Sequence, residues 1–373
     1  MKSLKTEKYK ISFCTVCMNR LSFLKQTLPK NIEDNLSYGN VEFVVLNYNS
    51  KDGMDEWIRR EMKDYMDSGV LKYIWTRKPK YFLMSHSKNV AHKNASGDIV
   101  CNVDADNFIG RGFAEYINTS FLENANVYMA GDILTSDKGG FGRICMTKSD
   151  FVKLQGYDEN MKGYGFEDHD MRNRLELLGR KVKIINKAHL TTLEHDDILR
   201  LENEPNTHHI KEIYFKNIDH ATTGLLYLLD DQTFFKGNIV VNALYNSLSI
   251  DNLFKENRNQ EIVRNGMPRE YRNRLENDEW TTGEYSRNNK GLKLFPKQGK
   301  QTVLVENGRM FQSPEKGRNE IYHKVWDNDL FMDLVMFFSQ INNRIKTKKN
   351  LEGKVLTPNK GSFGYVTLNQ HYL

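Results

Sequence analysis

The sequence predicts an α/β protein: a mixed sheet with helices on both faces over residues 1–220, followed by a smaller α+β region over 221–373. Three observations predict it. Short apolar runs alternate with helix-period stretches through the first two-thirds of the chain, the pattern of a sheet covered by helices. Each run ends in polar or glycine punctuation. The chain has 373 residues, enough for two domains at about 150 residues each.

Ile11-Ser-Phe-Cys-Thr-Val reads as the first strand, and a helix follows near Leu21 to Leu28. Val41-Glu-Phe-Val-Val-Leu is the second strand and Leu71-Lys-Tyr-Ile-Trp the third. Ser85 and Ser87 are candidate caps for a helix through Ala95 that Gly97 ends. Ile99-Val-Cys-Asn-Val then forms a buried strand that stops at Asp104-Ala-Asp106-Asn107. Open α/β sheets bind ligands beyond the carboxyl ends of their strands, which makes this acidic pair a candidate site. Further on, Gly163-Tyr-Gly-Phe-Glu-Asp-His-Asp opens a helix with Met171, Leu175 and Leu178 on one face and Gly179 at its end, and Val182-Lys-Ile-Ile is strand-like. The character changes after Asp219. Leu225 to Val241 resembles a hairpin around Asp230-Asp231 and Lys236-Gly-Asn, and a charged stretch rich in Asn and Arg runs to about Gly299. A helix is expected from about Val325 to Ile345, with apolar residues at 331, 334, 335, 338 and 345.

Composition narrows the function classes. Hydrophobic residues make up 39% and charged residues 27%, with 20 Phe and 18 Tyr, so disorder is excluded as the main state. The net charge of +6 favours approach to phosphate-bearing partners without marking a nucleic-acid binder. The basic stretches Arg264 to Arg274 and Arg344 to Lys349 read as solvated faces, and nucleic acid is not an expected partner. The apolar run Ile11 to Val16 is too short for a signal-peptide core, and no window reaches the roughly 20 apolar residues of a transmembrane helix. Four cysteines, Cys14, Cys17, Cys101 and Cys145, lie in strand-like surroundings without a disulfide pattern, so the expected location is the reducing cytoplasm. Cys14-x-x-Cys17 would place its side chains on opposite faces of a strand, which favours packing over zinc or redox chemistry. The helix around Leu330 to Ile345 reads as core or dimer packing; peripheral contact with the inner face of a membrane and a homodimer are both left open.

Two acidic clusters carry the chemistry. Asp104-x-Asp106 offers hard oxygen ligands that suit Mg²⁺ or Mn²⁺, although acidic pairs also end strands as solvated turns. Glu167, Asp168 and Asp170 crowd a helix N-terminus, where acids complement the dipole. Gly163 and Gly165 just before them allow close approach to a ligand, and adjacent Glu167 and Asp168 turned into a cleft would repel unless they had a task. His195 reads either as a third metal ligand or as an ordinary surface or core histidine. The stretch Cys14 to Arg20 has no glycine, which argues against a nucleotidyltransferase, and the absence of Gly-x-x-x-x-Gly-Lys-Ser/Thr excludes a P-loop NTPase.

Together these pieces resemble the GT-A fold, family 2-like glycosyltransferases, and most of all the β-1,4-galactosyltransferase and bacterial chondroitin-polymerase branch. The likeness covers roughly residues 9 to 215. It is carried by Cys17-Met-Asn19-Arg20, Asp52, Ser85-x-x-Lys88-Asn89-x-Ala91, Asp104-Ala-Asp106, Gly139-Gly-Phe-Gly and Gly156-Tyr157. Its most specific part is Gly163-Tyr-Gly-Phe-Glu-Asp-His-Asp-Met-Arg-Asn-Arg-Leu, and His195 with Asn203-Glu-Pro-Asn206 completes it. Tyr164 stands where the galactosyltransferases carry Trp.

The resemblance implies a GT-A Rossmann-like sheet and a metal-dependent, inverting hexosyltransferase. It implies a nucleotide-sugar donor, a UDP-sugar first, and a glycan or lipid-linked glycan acceptor in surface polysaccharide synthesis. Mn²⁺ or Mg²⁺ would be held by Asp106, His195 and Asp104, and the donor by Asn19, Arg20, Asp52, Lys88, Asn89 and Asp104. Asp168 would be the base, while Tyr164, Gly165 and Glu167 would meet the acceptor. Two alternatives stand beside this reading: a glycosyltransferase acting on modified nucleic acid, and a non-catalytic carbohydrate-binding protein of the same fold. Retention of both acidic clusters speaks against the second.

Overall fold

A computed structural model describes residues 8–132, 140–194, 197–219, 222–240, 274–314 and 320–370. The chain forms two compact units, Met1–Glu204 with Lys346–Leu373, and Pro205–Ile345.

The first unit opens with β1 (Ile11–Cys17), α1 (Leu21–Glu33), β2 (Val41–Tyr48), α2 (Met54–Glu61), α3 (Lys63–Asp67) and β3 (Leu71–Thr76). It continues with α4 (Met84–Asn94), β4 (Ile99–Asn102), β5 (Asn107–Phe108), α5 (Phe113–Glu123), β6 (Val127–Ala130), β7 (Ile144–Thr147) and α6 (Lys148–Lys153). Next come α7 (Glu167–Leu177), β8 (Lys181–Ile184), β9 (Thr191–Thr192) and α8 (Asp197–Leu201). β3, β2, β1 and β4 are parallel neighbours, β7 joins β4 antiparallel, and β6 and β8 extend the sheet. The fold class is therefore a mixed α/β sheet with a parallel core, as the alternating pattern predicts. β1 and β2 are buried at every position because the sheet is covered on both faces. Cys14 and Cys17 point into separate apolar clusters on those two faces, and all four cysteines are free and buried.

One local expectation is corrected. α4 starts at Met84, with Leu83 in the cap position, so Ser85 and Ser87 lie inside the helix. Ser87 donates its amide to the Leu83 carbonyl and its hydroxyl to the Met84 carbonyl, so it is bonded within its own helix. At the other end of the unit Gly179, at φ +87°, closes α7 as its position predicts.

The second unit is built from α9 (Pro205–His209), β10 (Ile210–Asn217), β11 (Thr222–Leu229), β12 (Thr233–Val240), β13 (Arg274–Leu275) and β14 (Thr281–Asn288). β15 (Gly291–Pro296), β16 (Thr302–Asn307), β17 (Met310–Gln312), β18 (Ile321–Lys324) and α10 (Asn328–Glu352) follow, and β19 (Asn369–Gln370) pairs back onto β3. Among the described residues, β10, β11, β12, β14, β15, β16, β17 and β18 pair antiparallel in a closed ring, with β13 beside β12. Tyr214, Leu226, Phe234, Leu292, Leu304, Phe311 and Tyr322 form its core. Closing the ring pairs each of those eight strands on both sides.

The expected boundary near residue 220 falls outside the described residues, between β10 and β11 in the chain. β10 and β11 pair antiparallel, and the division between the units lies before β10. On α10, Leu334, Val335, Phe338 and Ile341 are buried, with Phe338 against Tyr227, Phe235 and Trp280. That apolar stripe packs against the second unit's own residues. No helix among the described residues is long and apolar enough to cross a membrane.

Candidate active site

Register brings the candidate residues to one edge of the sheet. β1 and β4 are adjacent and parallel, with Cys14 opposite Asn102, so Asn19-Arg20 and Asp104-x-Asp106 both follow strand ends on the same side. Asn102 donates its side-chain amide to Asp104 Oδ1 at 3.0 Å, and Asn107 donates to Asp106 Oδ1 at 2.7 Å. Arg143 is buried and holds this loop from below, donating to Asn107 Oδ1 at 2.6 Å and to the Phe108 carbonyl at 3.2 Å. β5 pairs with β9, and Leu193 donates its amide to the Asp106 carbonyl at 2.8 Å. His195, two residues on, lies outside the described residues.

The second acidic cluster starts α7. Gly163, Gly165 and Phe166 all have positive φ, at +85°, +90° and +70°, so the chain turns sharply immediately before Glu167. Lys88 on α4 is 2% exposed and donates to Glu167 Oε1 at 2.9 Å and to Asp168 Oδ1 and Oδ2 at 2.8 and 3.0 Å. Lys88, expected at the donor, is here the buried counter-ion of two acids. Among the described residues, Glu167 Oε2 is buried without a hydrogen-bond partner.

The two carboxyls are driven apart in acidity. Burial raises the pKa of Asp168, and the neighbouring Glu167 and Asp104 carboxylates add to this, so it stands well above the ordinary range despite Lys88. Burial acts on Glu167 in the same sense, but the Lys88 ammonium outweighs it and leaves Glu167 below its ordinary value. Such a split gives two adjacent carboxyls different affinities for a proton. Burial, helped by the Asp106 charge, also raises Asp104. His169, stacked against Phe141 and Phe166 with Arg172 nearby, is pushed down to about 4 by burial and is neutral at pH 7.

Gly142 joins the two clusters. A Cβ on it would lie 2.8 Å from Asp168 Oδ2 and 3.3 Å from Asp104 Oδ2, so the backbone is pressed between the two carboxylates. Gly142→Ala is expected to lower turnover on the order of 10²-fold, because either carboxylate must move by a fraction of an ångström to an ångström. Steady-state kinetics checks this, and unchanged turnover would mean that neither carboxylate needs its present position.

The remaining candidates divide. Arg20 lies within electrostatic reach of Asp106 and Glu202 and donates to the Leu199 carbonyl, while Asn19, at φ +56°, donates to Asn203 Oδ1 at 2.7 Å. Tyr164 lies under the Arg200 guanidinium, and Gly165 follows it in the same turn. Asp52 is exposed and accepts the Leu21 amide at 2.8 Å, supplying a cap for α1. Asn89 is fully buried and exchanges hydrogen bonds with Tyr157, donating also to Glu159. Both side chains thus brace the backbone around the site. No sequence signal marks Arg143 as part of the site, because it acts through contacts with residues far away in the chain.

Asp104 and Asp106 suit a hard divalent cation by donor chemistry, and such a cation would offset the burial, and the lesser Asp106 charge, that raise the pKa of Asp104. Among the described residues no group of three His, Cys, Asp or Glu side chains could by itself hold a metal ion. A complete set would have to draw on something further, the part expected of His195.

Residues 135–196 match the family described as the N-terminal domain of galactosyltransferase. The match spans the Gly142 loop, the glycine-rich turn and all of α7. No curated protein matches the chain. Among solved structures, the chain is similar to the mannosyltransferase PcManGT from Pyrobaculum calidifontis in complex with GDP-Man and Mn²⁺, at 18% identity and a TM-score of 0.41. That likeness covers 49% of this chain and 56% of the mannosyltransferase. S. aureus TarS 1-349 in complex with UDP-GlcNAc is similar at 15% identity and a TM-score of 0.42, covering 50% of this chain and 60% of TarS. GalNAc-T7 with UDP, GalNAc and Mn²⁺ is similar at 13% identity and a TM-score of 0.39, covering 50% and 44%. The chain thus spans about half the length of these structures.

Proposed function

We propose that this chain is an inverting glycosyltransferase of GT-A type that moves a hexose-type sugar from a nucleotide diphosphate donor to an acceptor hydroxyl. The observation that carries the reading is the grouping around Gly142: Asp168, with its raised pKa, on one side and Asp104 on the other. A base above the ordinary carboxylate range is matched to work near neutral pH.

The acceptor hydroxyl gives its proton to an Asp168 oxygen as its own oxygen attacks the anomeric carbon. The bond from that carbon to the diphosphate breaks, and the nucleoside diphosphate leaves with the electron pair. One displacement of this kind inverts the anomeric centre. Lys88 keeps Asp168 and Glu167 oriented, and Glu167, which stays ionised, aligns the acceptor. Asp104 and Asp106, with His195, would hold Mn²⁺ or Mg²⁺, which supplies neutralisation of the charge on the leaving diphosphate. Arg20, close to Asp106, faces the same developing charge. A UDP-sugar donor, a glycan or lipid-linked glycan acceptor in polysaccharide synthesis, and a cytoplasmic setting belong to the same proposal.

The test is release of nucleotide from a panel of UDP- and GDP-sugars with Mn²⁺, for the native chain and Asp106→Ala. Turnover with at least one donor, abolished by chelation and lowered on the order of 10²–10³-fold in the variant, is the expected result. Turnover that survives both chelation and Asp106→Ala would remove the metal from the scheme, and no turnover with any donor would favour a binding protein.

A further inference from the structure

After the second unit the chain returns to the first, and residues 346–370 pack along the back of the turn that presents Glu167 and Asp168. Asn359 donates to the carbonyls of Gln155 and Tyr157, both at 2.7 Å, and Gly364 donates to Glu159 at 2.6 Å. Thr347 donates its hydroxyl to the Phe166 carbonyl at 3.4 Å. The most informative contact is that of Asn350. Its side-chain amide donates one hydrogen to Asp158 Oδ2 at 2.9 Å and the other to Asp170 Oδ1 at 2.8 Å.

Those two carboxylates are 3% and 1% exposed. Asp158 accepts at its other oxygen from Asn160, and Asp170 at its other oxygen from Arg174 Nε at 2.7 Å. Asn350 thus stands between two buried acids that would otherwise face each other with unmatched lone pairs. Asp170 in turn donates its amide to the Phe166 carbonyl at 3.0 Å, closing the first turn of α7. Phe166 is a bulky residue in the left-handed region, a costly conformation that persists only where its surroundings impose it.

We propose that Asn350 is a positioning residue for the active site: by bridging Asp158 and Asp170 it imposes the left-handed Phe166 turn and so places Glu167 and Asp168. The C-terminal segment is then part of the catalytic framework, although 180 residues separate Asn350 from Asp170. The effect on turnover rests on the reading of Asp168 as the base; the effect on the turn does not.

The test uses the full chain with Asn350→Ala, Asn350→Asp, and Tyr365→Ala as a control on an exposed residue of the same segment. Asn350→Asp is nearly isosteric, so a role in filling space predicts native behaviour, whereas a role as double donor predicts the largest loss because three carboxylates would meet. The expected order of kcat is native above Asn350→Ala above Asn350→Asp, with at least a roughly tenfold fall for the aspartate. Donor KM should stay within about twofold, and Tyr365→Ala should match the native chain. Hydrogen exchange at the amides of residues 163–170 should quicken at least roughly tenfold in both Asn350 variants. Native exchange in Asn350→Asp would overturn the proposal whether or not the chain turns over a nucleotide sugar. Should that variant fail to fold, exchange in Asn350→Ala decides. Quickened exchange in a chain with no transferase activity would keep the positioning role and discard the transferase mechanism alone.

Discussion

Lys88→Met is expected to abolish turnover and to destabilise the first unit by about 3–5 kcal/mol, the range for breaking a buried ion pair by removing one partner. Lys88 is the ammonium within hydrogen-bond distance of both Glu167 and Asp168, and all three side chains are at most 13% exposed. Without it, two adjacent carboxylates, with Asp104 nearby, are left in a desolvated pocket. Methionine fills the space but supplies no donor, so the loss reports charge rather than volume. At roughly 2–4 °C per kcal/mol for a unit of this size, the midpoint of thermal unfolding should fall by on the order of 10 °C. A variant that melts with the native chain would show that water or a cation already satisfies the acids.

Asp168→Asn is expected to have the opposite effect on stability with an equal loss of function. Removing a general base costs on the order of 10²–10⁴-fold in turnover. The cluster of one lysine and two acids carries excess negative charge, and the amide removes it, leaving Lys88 and Glu167 as a balanced pair. The pH dependence follows from the direction of the shift. Asp168 has a folded-state pKa well above its ordinary value of 3.8, chiefly through burial, so the folded chain binds this proton more tightly than the unfolded chain. Its contribution to stability is therefore fully present below about pH 4 and is lost as pH rises towards the folded-state value. The substituted amide cannot ionise, so the variant should gain on the native chain as pH rises through that window. Urea unfolding at several pH values checks this; the same pH dependence in the two proteins would place Asp168 at an ordinary pKa. In the native enzyme the transfer rate should rise with pH through a pKa above the normal carboxylate range.

Much of the first unit was legible because its signals are local. Ile11 to Val16, Val41 to Leu46, Leu71 to Trp75 and Ile99 to Val103 stand out as strands since a sheet buried on both faces needs uninterrupted apolar runs. Glycine at 179 stops α7 because few other residues accept a left-handed backbone there. The acidic pairs after β4 and at the start of α7 were visible for the same reason: a strand terminus and a helix terminus are positions in the sequence before they are positions in space.

The second unit was less legible. Its hairpin of β11 and β12 could be read around Asp230-Asp231, but closure of the ring depends on pairings such as β10 with β18, which join residues far apart in the chain. Alternation in a strand shows that it has two faces, without showing which strand completes the ring.

What the sequence by itself determined, then, is the order of the elements in the first unit and the residue types at the ends of its strands and helices, because those follow from local periodicity and turn chemistry. What only the tertiary structure decided is the state of those residues. Lys88 meets Glu167 and Asp168 across 79 and 80 residues, Gly142 is pressed between Asp168 and Asp104, and Asn350 reaches Asp170 from α10. From sequence, the helix N-terminus and burial pull the Asp168 pKa in opposite directions. Burial prevails because packing removes the water that would have solvated the charge, and desolvation is a property of everything that surrounds a residue rather than of its neighbours in the chain.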